Sequence, residues 1–349
     1  MELLFVGAGV HGASSLPIGA IEHLKRSSKL YVDVYTSPWP EGELARLEGI
    51  LGRSALRGTR ALLEDGRAIL DEAMKGTVAI LCMGDPFTAT THVSLRLRAI
   101  ERGIRVKTFY SSSILNAVFG ETGLHCYKVG RVVSLIRAAP AALVSVYMAV
   151  KDCLQLGLHS LLLLEYNYDE GYHLSPSEGL KMLQELESSY KMGVFTDDRL
   201  VVVASRVGWP SQTIVAGPLR DLIRLEFGQP PHCMIFPGPL HFSEEEAMAK
   251  MLGSASAVKD AVAELISPSK AMVERTITKT LAALSEARRI AHESSVTNLE
   301  AIFENVEAYL SDARRFLMEG KPELALMEAG YAEGLLDAIR LQGTLKMTW

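Results

Sequence analysis

Residues 81–92 read Leu-Cys-Met-Gly-Asp-Pro-Phe-Thr-Ala-Thr-Thr-His, and they decide how the chain around them folds. The apolar run 78–81 predicts a buried strand, and the pattern after the turn predicts a helix over 92–102. Gly84 permits close approach of the backbone to a ligand, and Pro86 fixes the backbone just after it. Since no Lys follows, the spacing of a phosphate-binding loop is absent. The turn is therefore predicted to serve a ligand that is not held through phosphates.

Length and composition limit the function classes. The chain has 349 residues, of which 48% are hydrophobic, enough for two or three domains with real cores. A net charge of -5 provides no overall basic field for nucleic acid or an anionic membrane. The N-terminus lacks a basic leader, and no apolar stretch reaches membrane-spanning length. Four scattered cysteines predict free thiols and no metal cluster. We expect a cytoplasmic protein without nucleic-acid or membrane partners.

The first part of the chain alternates strands with helices. Apolar runs predict strands at 3–9, 30–35, 78–81 and 106–109, and helical patterns lie at 17–24, 61–74 and 92–102. Ser14 or Ser15 is a candidate cap for the first of these helices. This alternation is typical of parallel-sheet units. Because three serines at 111–113 break the pattern, we predict a first α/β subdomain over 1–112 with a link after it.

The second part is predicted to form a more mixed sheet. Strand patterns lie at 159–165, 200–204 and 234–236, and helical patterns at 176–190 and 219–227. The apolar run 143–148 is ambiguous between strand and helix. Ser175 followed by Glu178 has the spacing of a capping box. The sequence thus predicts a second α/β subdomain over 113–253.

Strand signals stop after about residue 253. Residues 270–341 carry three apolar stripes with spacings of three and four residues, so each stripe predicts an amphipathic helix. Gly320 ends the second of these helices, and Pro322 suits the first turn of the third. We predict a three-helix domain over 254–349. Since its charges lie between the stripes, packing or association is a better expectation for it than catalysis.

Several residues are candidates for chemistry. Gly7, Gly9 and Gly12 nearly match a dinucleotide-binding fingerprint, but Asp33 falls inside the predicted second strand rather than at its end, which disfavours a nicotinamide enzyme. Asp85 lies at a strand tip, where contact with a ligand and turn formation are both open. His92 is expected to cap or pack rather than act as a base. His232 is open between a structural donor and a ligand contact. No catalytic triad or metal-binding motif is present, so no metal is expected.

Taken in order, these segments resemble the diphthine synthase family of the tetrapyrrole methylase superfamily. The Gly-Asp-Pro turn alone marks only the superfamily, whereas the following Ala-Thr-Thr-His, together with Gly-Val-Phe-Thr-Asp-Asp and Pro-Pro-His, is far more specific. The resemblance covers roughly residues 1–250. The segments that carry it are LLFVGAG (3–9), YTS (35–37), GDPFTATTH (84–92), SILNA (113–117), GLHCYKVG (123–130), GLHSLLLLE (157–165), GVFTDD (193–198), AGPLRDLIR (216–224) and PPHCMIFPG (230–238).

This resemblance implies a two-domain α/β fold with a cofactor cleft between the halves and a helical appendage. It implies S-adenosylmethionine as methyl donor and elongation factor 2 as protein substrate. The methylated group would be the amine of a 3-amino-3-carboxypropyl arm on a histidine, giving diphthine in diphthamide biosynthesis. It also implies a homodimer. Residues 270–341 are similar to a small archaeal helical domain of unknown role, which implies an archaeal origin.

The family's cofactor contacts fall, motif by motif, on Val10, Asp85, Thr88, Ser113, Ile114, Leu164, Val207 and His232. The sequence departs from the family around Val207, in the loop at 10–13 and at 137–150. No catalytic residue is assigned. Attack of an amine on a methyl group is an in-line displacement that needs a neutral amine, a dry site and alignment, and no strong base is obligatory.

Three alternatives remain open on the sequence. A superfamily methyltransferase acting on a tetrapyrrole or on ribosomal RNA is one, although an RNA substrate favours a basic cleft. A non-catalytic adapter that recruits partners through the helical tail is another, and it should not bind S-adenosylmethionine. A nicotinamide dehydrogenase is the third, and it predicts tight binding of NAD.

Overall fold

A computed structural model of the chain describes residues 1–253, 261, 263, 268–294, 296 and 298–347. It divides into two compact units, 1–264 and 265–349. The strands of the first unit are β1 (Glu2–Gly7), β2 (Lys29–Asp33), β3 (Leu56–Gly58), β4 (Thr77–Cys82), β5 (Arg105–Phe109), β6 (Val129–Leu135), β7 (His159–Leu164), β8 (Tyr166–Asn167), β9 (Tyr172–His173), β10 (Leu200–Ser205), β11 (Thr213–Pro218) and β12 (His232–Phe236). Its helices are α1 (Ile18–Arg26), α2 (Glu43–Leu51), α3 (Arg60–Asp65), α4 (Arg67–Ala73), α5 (His92–Glu101), α6 (Ile114–Thr122), α7 (Val144–Gln155), α8 (Pro176–Tyr190), α9 (Leu219–Leu222) and α10 (Phe242–Met251).

The first sheet is parallel, with strand order β3-β2-β4-β1-β5. In β1 and β4 every residue after the first is buried, as expected for central strands covered on both faces. The register pairs Gly7 with Cys82 and Val6 with Phe109. The carboxyl ends of β1, β4 and β5 therefore lie side by side at one edge of the sheet.

The second sheet is mixed, as predicted, with order β11-β10-β12-β7-β6. Only the β6–β7 pair is parallel, and the other neighbours in this sheet are antiparallel. After β7 the chain forms the short β8–β9 hairpin, in which Tyr166 pairs with His173. This sheet supplies the second wall of the site described below.

Two predicted helices are wrong in extent. The helix expected over 61–74 is two helices, because Gly66 adopts a left-handed φ of 61° that ends α3. The helix expected over 219–227 ends at Leu222. Beyond it the Leu225 carbonyl accepts from Ser177 Oγ and the Phe227 carbonyl accepts from Arg206 Nη1, so these groups bond to side chains instead of a helix.

Three smaller expectations are also settled. Ser14 and Ser15 lie in a 3₁₀ turn, and Pro17 takes the N-cap position of α1, so neither serine caps that helix. Ser175 does cap α8, since its Oγ accepts from the Glu178 N–H. The ambiguous run 143–148 is helical, because it begins α7. The helices α2, α6 and α10 and the strands β3, β6, β8, β9 and β11 were not predicted.

The second unit contains three helices, α11 (Pro268–Glu293), α12 (Glu300–Met318) and α13 (Pro322–Leu341). The first two predicted apolar stripes lie in the core, with Val273, Leu284, Phe303 and Leu310. The third stripe, predicted over Leu324, Met327, Tyr331, Leu335 and Ile339, is misplaced, since its first three residues are exposed and α13 instead buries Ala325, Ala329, Ala332 and Leu336. The predicted domain boundary at 253/254 adjoins residues 254–260, which lie outside the described residues, so it stays a prediction. In the described ranges, no helix combines the length and apolar character needed to cross a membrane.

Candidate active site

Two glycine turns meet at the carboxyl edge of the parallel sheet. The backbones of Gly9, after β1, and Gly84, after β4, exchange two hydrogen bonds of 3.0 Å. A Cβ on Gly7 would lie 2.5 Å from the Gly84 carbonyl oxygen, so no larger residue fits there without moving the turn. The glycines therefore bring the two loops into backbone contact.

Asp85 joins the β4 loop to the loop after β5. Its Oδ1 accepts from the Phe87 N–H at 3.0 Å and from Thr88 Oγ1 at 3.3 Å. Its Oδ2 accepts from the Ser111 N–H at 3.3 Å. Asp85 is half-buried and lines the cleft, so turn formation and exposure to a ligand, the two options left open by the sequence, coexist in one side chain.

The loop after β5 completes this wall. Ser112 Oγ accepts from the Val10 N–H at 3.2 Å, which connects this loop to the one after β1. Ser113 is the N-cap of α6 in a capping box with Asn116, and Ile114 is the first residue of that helix. Val10, Ser113 and Ile114 are thus held next to one another by local hydrogen bonds.

The opposite wall comes from the second sheet and carries Leu164, Val207 and His232. His232 Nδ1 lies 2.8 Å from Ser205 Oγ, while its Nε2 is buried without a hydrogen-bond partner among the described residues. Burial, followed by the nearby His173 and Arg206, lowers the pKa of His232 to about 4. The imidazole is therefore neutral at neutral pH, with one nitrogen available to a ligand.

All eight predicted contact residues line a single cleft. It encloses about 950 Å³ of space, part of it open to solvent. Its charged lining residues are Asp85, Glu165 and Arg206, and the Arg206 guanidinium donates to the carbonyls of Phe227 and Ser211. The cleft therefore combines apolar walls, hydroxyl groups and backbone, without a free cationic clamp for phosphates.

Sequence reasoning missed other lining residues, namely Thr36, Ser37, Pro38, Tyr166, Trp209, Pro230 and Pro231. Thr36 and Ser37 belong to the segment 35–37, one of those that carry the family resemblance, so the resemblance could have indicated them as site residues. Tyr166 and Trp209 follow strand ends, but nothing local marks an aromatic residue in such a loop as lining a cleft. Their position depends on how the two sheets face each other.

His92 and Asp33 contact the loops that line the cleft. The buried His92 has Nδ1 2.9 Å from the Pro86 carbonyl and Nε2 3.2 Å from Asp33 Oδ2, so it packs, as expected. The expectation that Asp33 lies inside its strand is wrong, because β2 ends at this residue. Its carboxylate accepts hydrogen bonds from the N–H groups of Tyr35 and Thr36. It is therefore already bonded within its own loop and does not serve as the acidic residue that binds the ribose of a dinucleotide.

Metal chemistry has no evident location in the described residues, since no group of His, Cys, Asp or Glu side chains there could hold an ion.

The fold and cleft define a class of protein, the methylases. Residues 2–223 match the family model of Tetrapyrrole (Corrin/Porphyrin) Methylases. A crystal structure of diphthine synthase has the same fold, with a TM-score of 0.65 at 24% identity over 72% of this chain and 96% of that one.

Curated relatives narrow this class. A diphthine synthase of Methanocaldococcus jannaschii is 35% identical over 250 residues, which is 70% of this chain and 97% of the relative. One of Methanothermobacter thermautotrophicus is 30% identical over 257 residues, 73% of this chain and 97% of the relative. The chain belongs to the diphthine synthase family, and it is a methyltransferase.

The helical unit has a separate match. Residues 273–345 match a family described as a protein of unknown function, DUF357. The resemblance of this region to a helical domain of unknown role is thereby confirmed.

Proposed function

We propose that this protein transfers methyl groups from S-adenosylmethionine to the amine of a 3-amino-3-carboxypropyl arm on a histidine of elongation factor 2, giving diphthine for diphthamide biosynthesis. One observation carries the proposal: the eight residues of the family's donor-contact pattern, from six separate segments, line one cleft. Family membership supports the same reaction.

The residues present fit this donor. S-adenosylmethionine has no phosphate, and when bound it supplies a methyl group on a positively charged sulfur. The cleft offers hydroxyl groups at Thr88 and Ser113, the Asp85 carboxylate and the unpartnered Nε2 of His232. Small hydroxyl side chains and backbone groups suit the hydrogen bonds of an amino acid and a purine.

The residues act by position and by exclusion of water. Leu163, Leu164 and Val207 provide apolar wall, which favours a substrate amine that has lost its proton. The nitrogen lone pair forms the new N–C bond as the C–S bond breaks, and the electron pair of that bond goes to sulfur. Alignment of this kind contributes about 7–11 kcal/mol in favourable systems. We assign no general base.

We also propose that the protein is a homodimer. Helix α5 exposes Val93, Leu97 and Ile100 by 47%, 55% and 55%, and their spacing places them on one face. An apolar stripe of this kind favours contact with a second copy.

All four cysteines are free, which supports a reducing compartment such as the cytoplasm.

The decisive experiment is incubation with labelled methyl donor and archaeal elongation factor 2 that carries the unmethylated arm. We expect label and mass increments of whole methyl groups at the modified histidine. Elongation factor 2 without the arm is the control and should stay unlabelled. If the label appeared on a tetrapyrrole or on ribosomal RNA instead, that molecule would be the substrate. If the protein failed to bind S-adenosylmethionine, the result would favour a non-catalytic adapter.

A further inference from the structure

The cleft that we assign to the methyl donor is called the donor cleft below. A second, larger cavity adjoins it and is rich in aromatic side chains. It encloses about 2120 Å³, including space open at its mouth. We call it the aromatic cavity; its rings include Trp39, Tyr166, Tyr168, Tyr172 and Trp209. The chain has only three tryptophans, and two of them are here. Such concentration is unusual for a solvent-facing surface of a protein with 7% aromatic residues.

The aromatic cavity is continuous with the donor cleft, because Tyr166 and Trp209 line both. Their backbones are held in place. Tyr166 pairs with His173 in the β8–β9 hairpin, and the Trp209 N–H donates to the Arg206 carbonyl at 2.9 Å. A group that enters through the aromatic cavity therefore passes these two rings before it reaches the donor.

Tyr172 already has the Arg137 guanidinium 3.9 Å from its ring centroid, so the rings considered for a ligand are Trp39, Tyr166 and Trp209. Trp39 is oriented by its Nε1, which donates to the Asp33 carbonyl at 2.7 Å, so its position does not depend on a ligand. In the described part of the chain, no group hydrogen-bonds the Tyr166 hydroxyl. Burial, followed by the charges of Tyr168 and Asp33, raises the pKa of Tyr166, so this phenol remains neutral at neutral pH.

The carboxylates nearest the donor cleft are already engaged, whereas the exposed Glu41 lines only the aromatic cavity and not the donor cleft. Glu43 Oε1 accepts from the Ala13 N–H at 2.7 Å, and its Oε2 lies 3.7 Å from Arg46. At the junction with the donor cleft, Glu165 Oε2 accepts from the Arg137 N–H at 2.8 Å. The residues that line both spaces are Pro38, Tyr166, Arg206, Trp209 and Pro230. Because the Arg206 guanidinium donates to the carbonyls of Ser211 and Phe227, the surface left for a ligand there consists of the two aromatic rings and the two prolines.

This chemistry suits an amine that must first be neutral and then become a cation. A free carboxylate beside the amine would raise its pKa and keep it protonated, which blocks attack on the methyl group. An aromatic face attracts the developing positive charge but does not hold a proton. Repeated methylation ends in a quaternary ammonium, and aromatic faces are the usual protein surface that recognises it.

We propose that the aromatic cavity takes the amine-bearing arm of the protein substrate, and that Tyr166, Trp209 and Trp39 hold its nitrogen as methylation makes it cationic. This proposal rests on the proposed function, because that function supplies the arm. It adds the path by which the arm enters and the residues that select it.

Two substitutions at one ring test the proposal. Tyr166→Leu removes the ring, and we expect it to raise the KM for arm-bearing elongation factor 2 about tenfold, as loss of a cation–π contact predicts. Tyr166→Phe keeps the ring and should stay near wild type. Trp39→Leu, which lies outside the donor cleft, should repeat the KM effect with an unchanged dissociation constant for S-adenosylmethionine in calorimetry. Tyr127→Ala is the control, since Tyr127 is 95% exposed and lines neither cavity.

A second measurement needs no turnover. Titration with tetramethylammonium chloride should change the tryptophan fluorescence of the wild type saturably, with sodium chloride as the ionic-strength control, and Tyr166→Leu should weaken the response. The proposal is overturned if both ring-removing variants keep the KM of Tyr127→Ala, or if the wild type shows no saturable response. Absence of methyl transfer by the wild type would instead contradict the proposed function, and the titration would still decide on the cavity.

Discussion

Asp85 shows how one side chain both builds and faces a site. Its two oxygens tie the loops after β4 and β5 together, so the donor wall depends on it twice. Asp85→Asn keeps one acceptor oxygen but places an amide N–H group opposite the Ser111 N–H, where two donors now meet. We expect the dissociation constant for S-adenosylmethionine, measured by calorimetry, to increase about 10- to 100-fold, since loss of a charged hydrogen bond costs about 1.5–3 kcal/mol.

The control for this change is Asp71→Asn, on the exposed face of α4, where the side chain is 64% exposed. It should leave donor affinity unchanged. Unchanged affinity and full turnover in Asp85→Asn would remove Asp85 from the binding site and leave it a turn residue.

Glu244 is a buried charge away from the cleft. Burial by itself would raise its pKa, but hydrogen bonds from the His241 N–H, Lys128 Nζ, the His125 N–H and His159 Nε2 outweigh burial and lower the pKa to about 2. Because the folded pKa lies below the ordinary value of 4.5, the carboxylate stabilises the fold above pH 4.5, and this contribution is lost as the pH falls toward 2.

Glu244→Gln should therefore lower the free energy of unfolding by about 3 kcal/mol at pH 7, since it removes one partner of a buried ion pair. The difference from wild type should shrink at pH 3. Urea unfolding at both values measures it, with the exposed neighbour Glu245→Gln as control. A difference that is equal at pH 7 and pH 3 would contradict the role given to this charge.

At the scale of elements, the close contact between the end of β1 and the loop after β4 restricts which side chains position 7 can carry. Gly7→Ala would place a Cβ 2.5 Å from the Gly84 oxygen and 3.0 Å from Pro86 Cδ. We expect a loss of about 1–3 kcal/mol in stability from this overpacking, together with weaker donor binding, because the displaced turn lines the cleft. Thermal unfolding and donor calorimetry measure the two effects.

Gly49→Ala in α2 is the matched control. A Cβ there meets nothing within 4 Å, so the change should stabilise the helix by about 0.5–1 kcal/mol. If Gly7→Ala proved as stable as wild type with normal donor affinity, the close contact of the two turns would not matter for the site.

The elements also show where sequence patterns succeed. The strands β1, β4, β7 and β10 were predicted, because long apolar runs must be buried on both faces. The break at Gly66 was not predicted, because the helical pattern continues through it and only its left-handed backbone ends α3. Short α9 ends where carbonyls find distant side-chain donors, which no local pattern reveals.

At the scale of the whole molecule, each unit has its own core. Residues Ala261 and Ala263 pack on a core of the first unit, so a truncation should retain residue 264. We expect the protein with residues 265–349 deleted to keep its fold and its methyl transfer, measured by circular dichroism and by the labelled-donor assay. A folded but inactive truncation would show that the helical unit takes part in the reaction.

The proposed homodimer is tested on α5. Leu97→Arg places a charge in the exposed apolar stripe and should convert a dimer to monomers, measured by light scattering after size exclusion. Leu156→Arg, at a residue 74% exposed outside α5, should remain dimeric. A Leu97→Arg protein that stays dimeric would place the interface elsewhere.

The sequence by itself determined the parallel sheet, the mixed second sheet, the helical tail and the eight residues that meet in one cleft. It did so because apolar periodicity and glycine turns act over a few neighbouring residues, and because family motifs record the same local structure. Only the tertiary structure brought Trp39, Tyr166 and Trp209 together, buried the Nε2 of His232 without a hydrogen-bond partner among the described residues, and surrounded Glu244 with donors. These features arise from packing between segments far apart in the chain, where no local pattern specifies which side chains will meet.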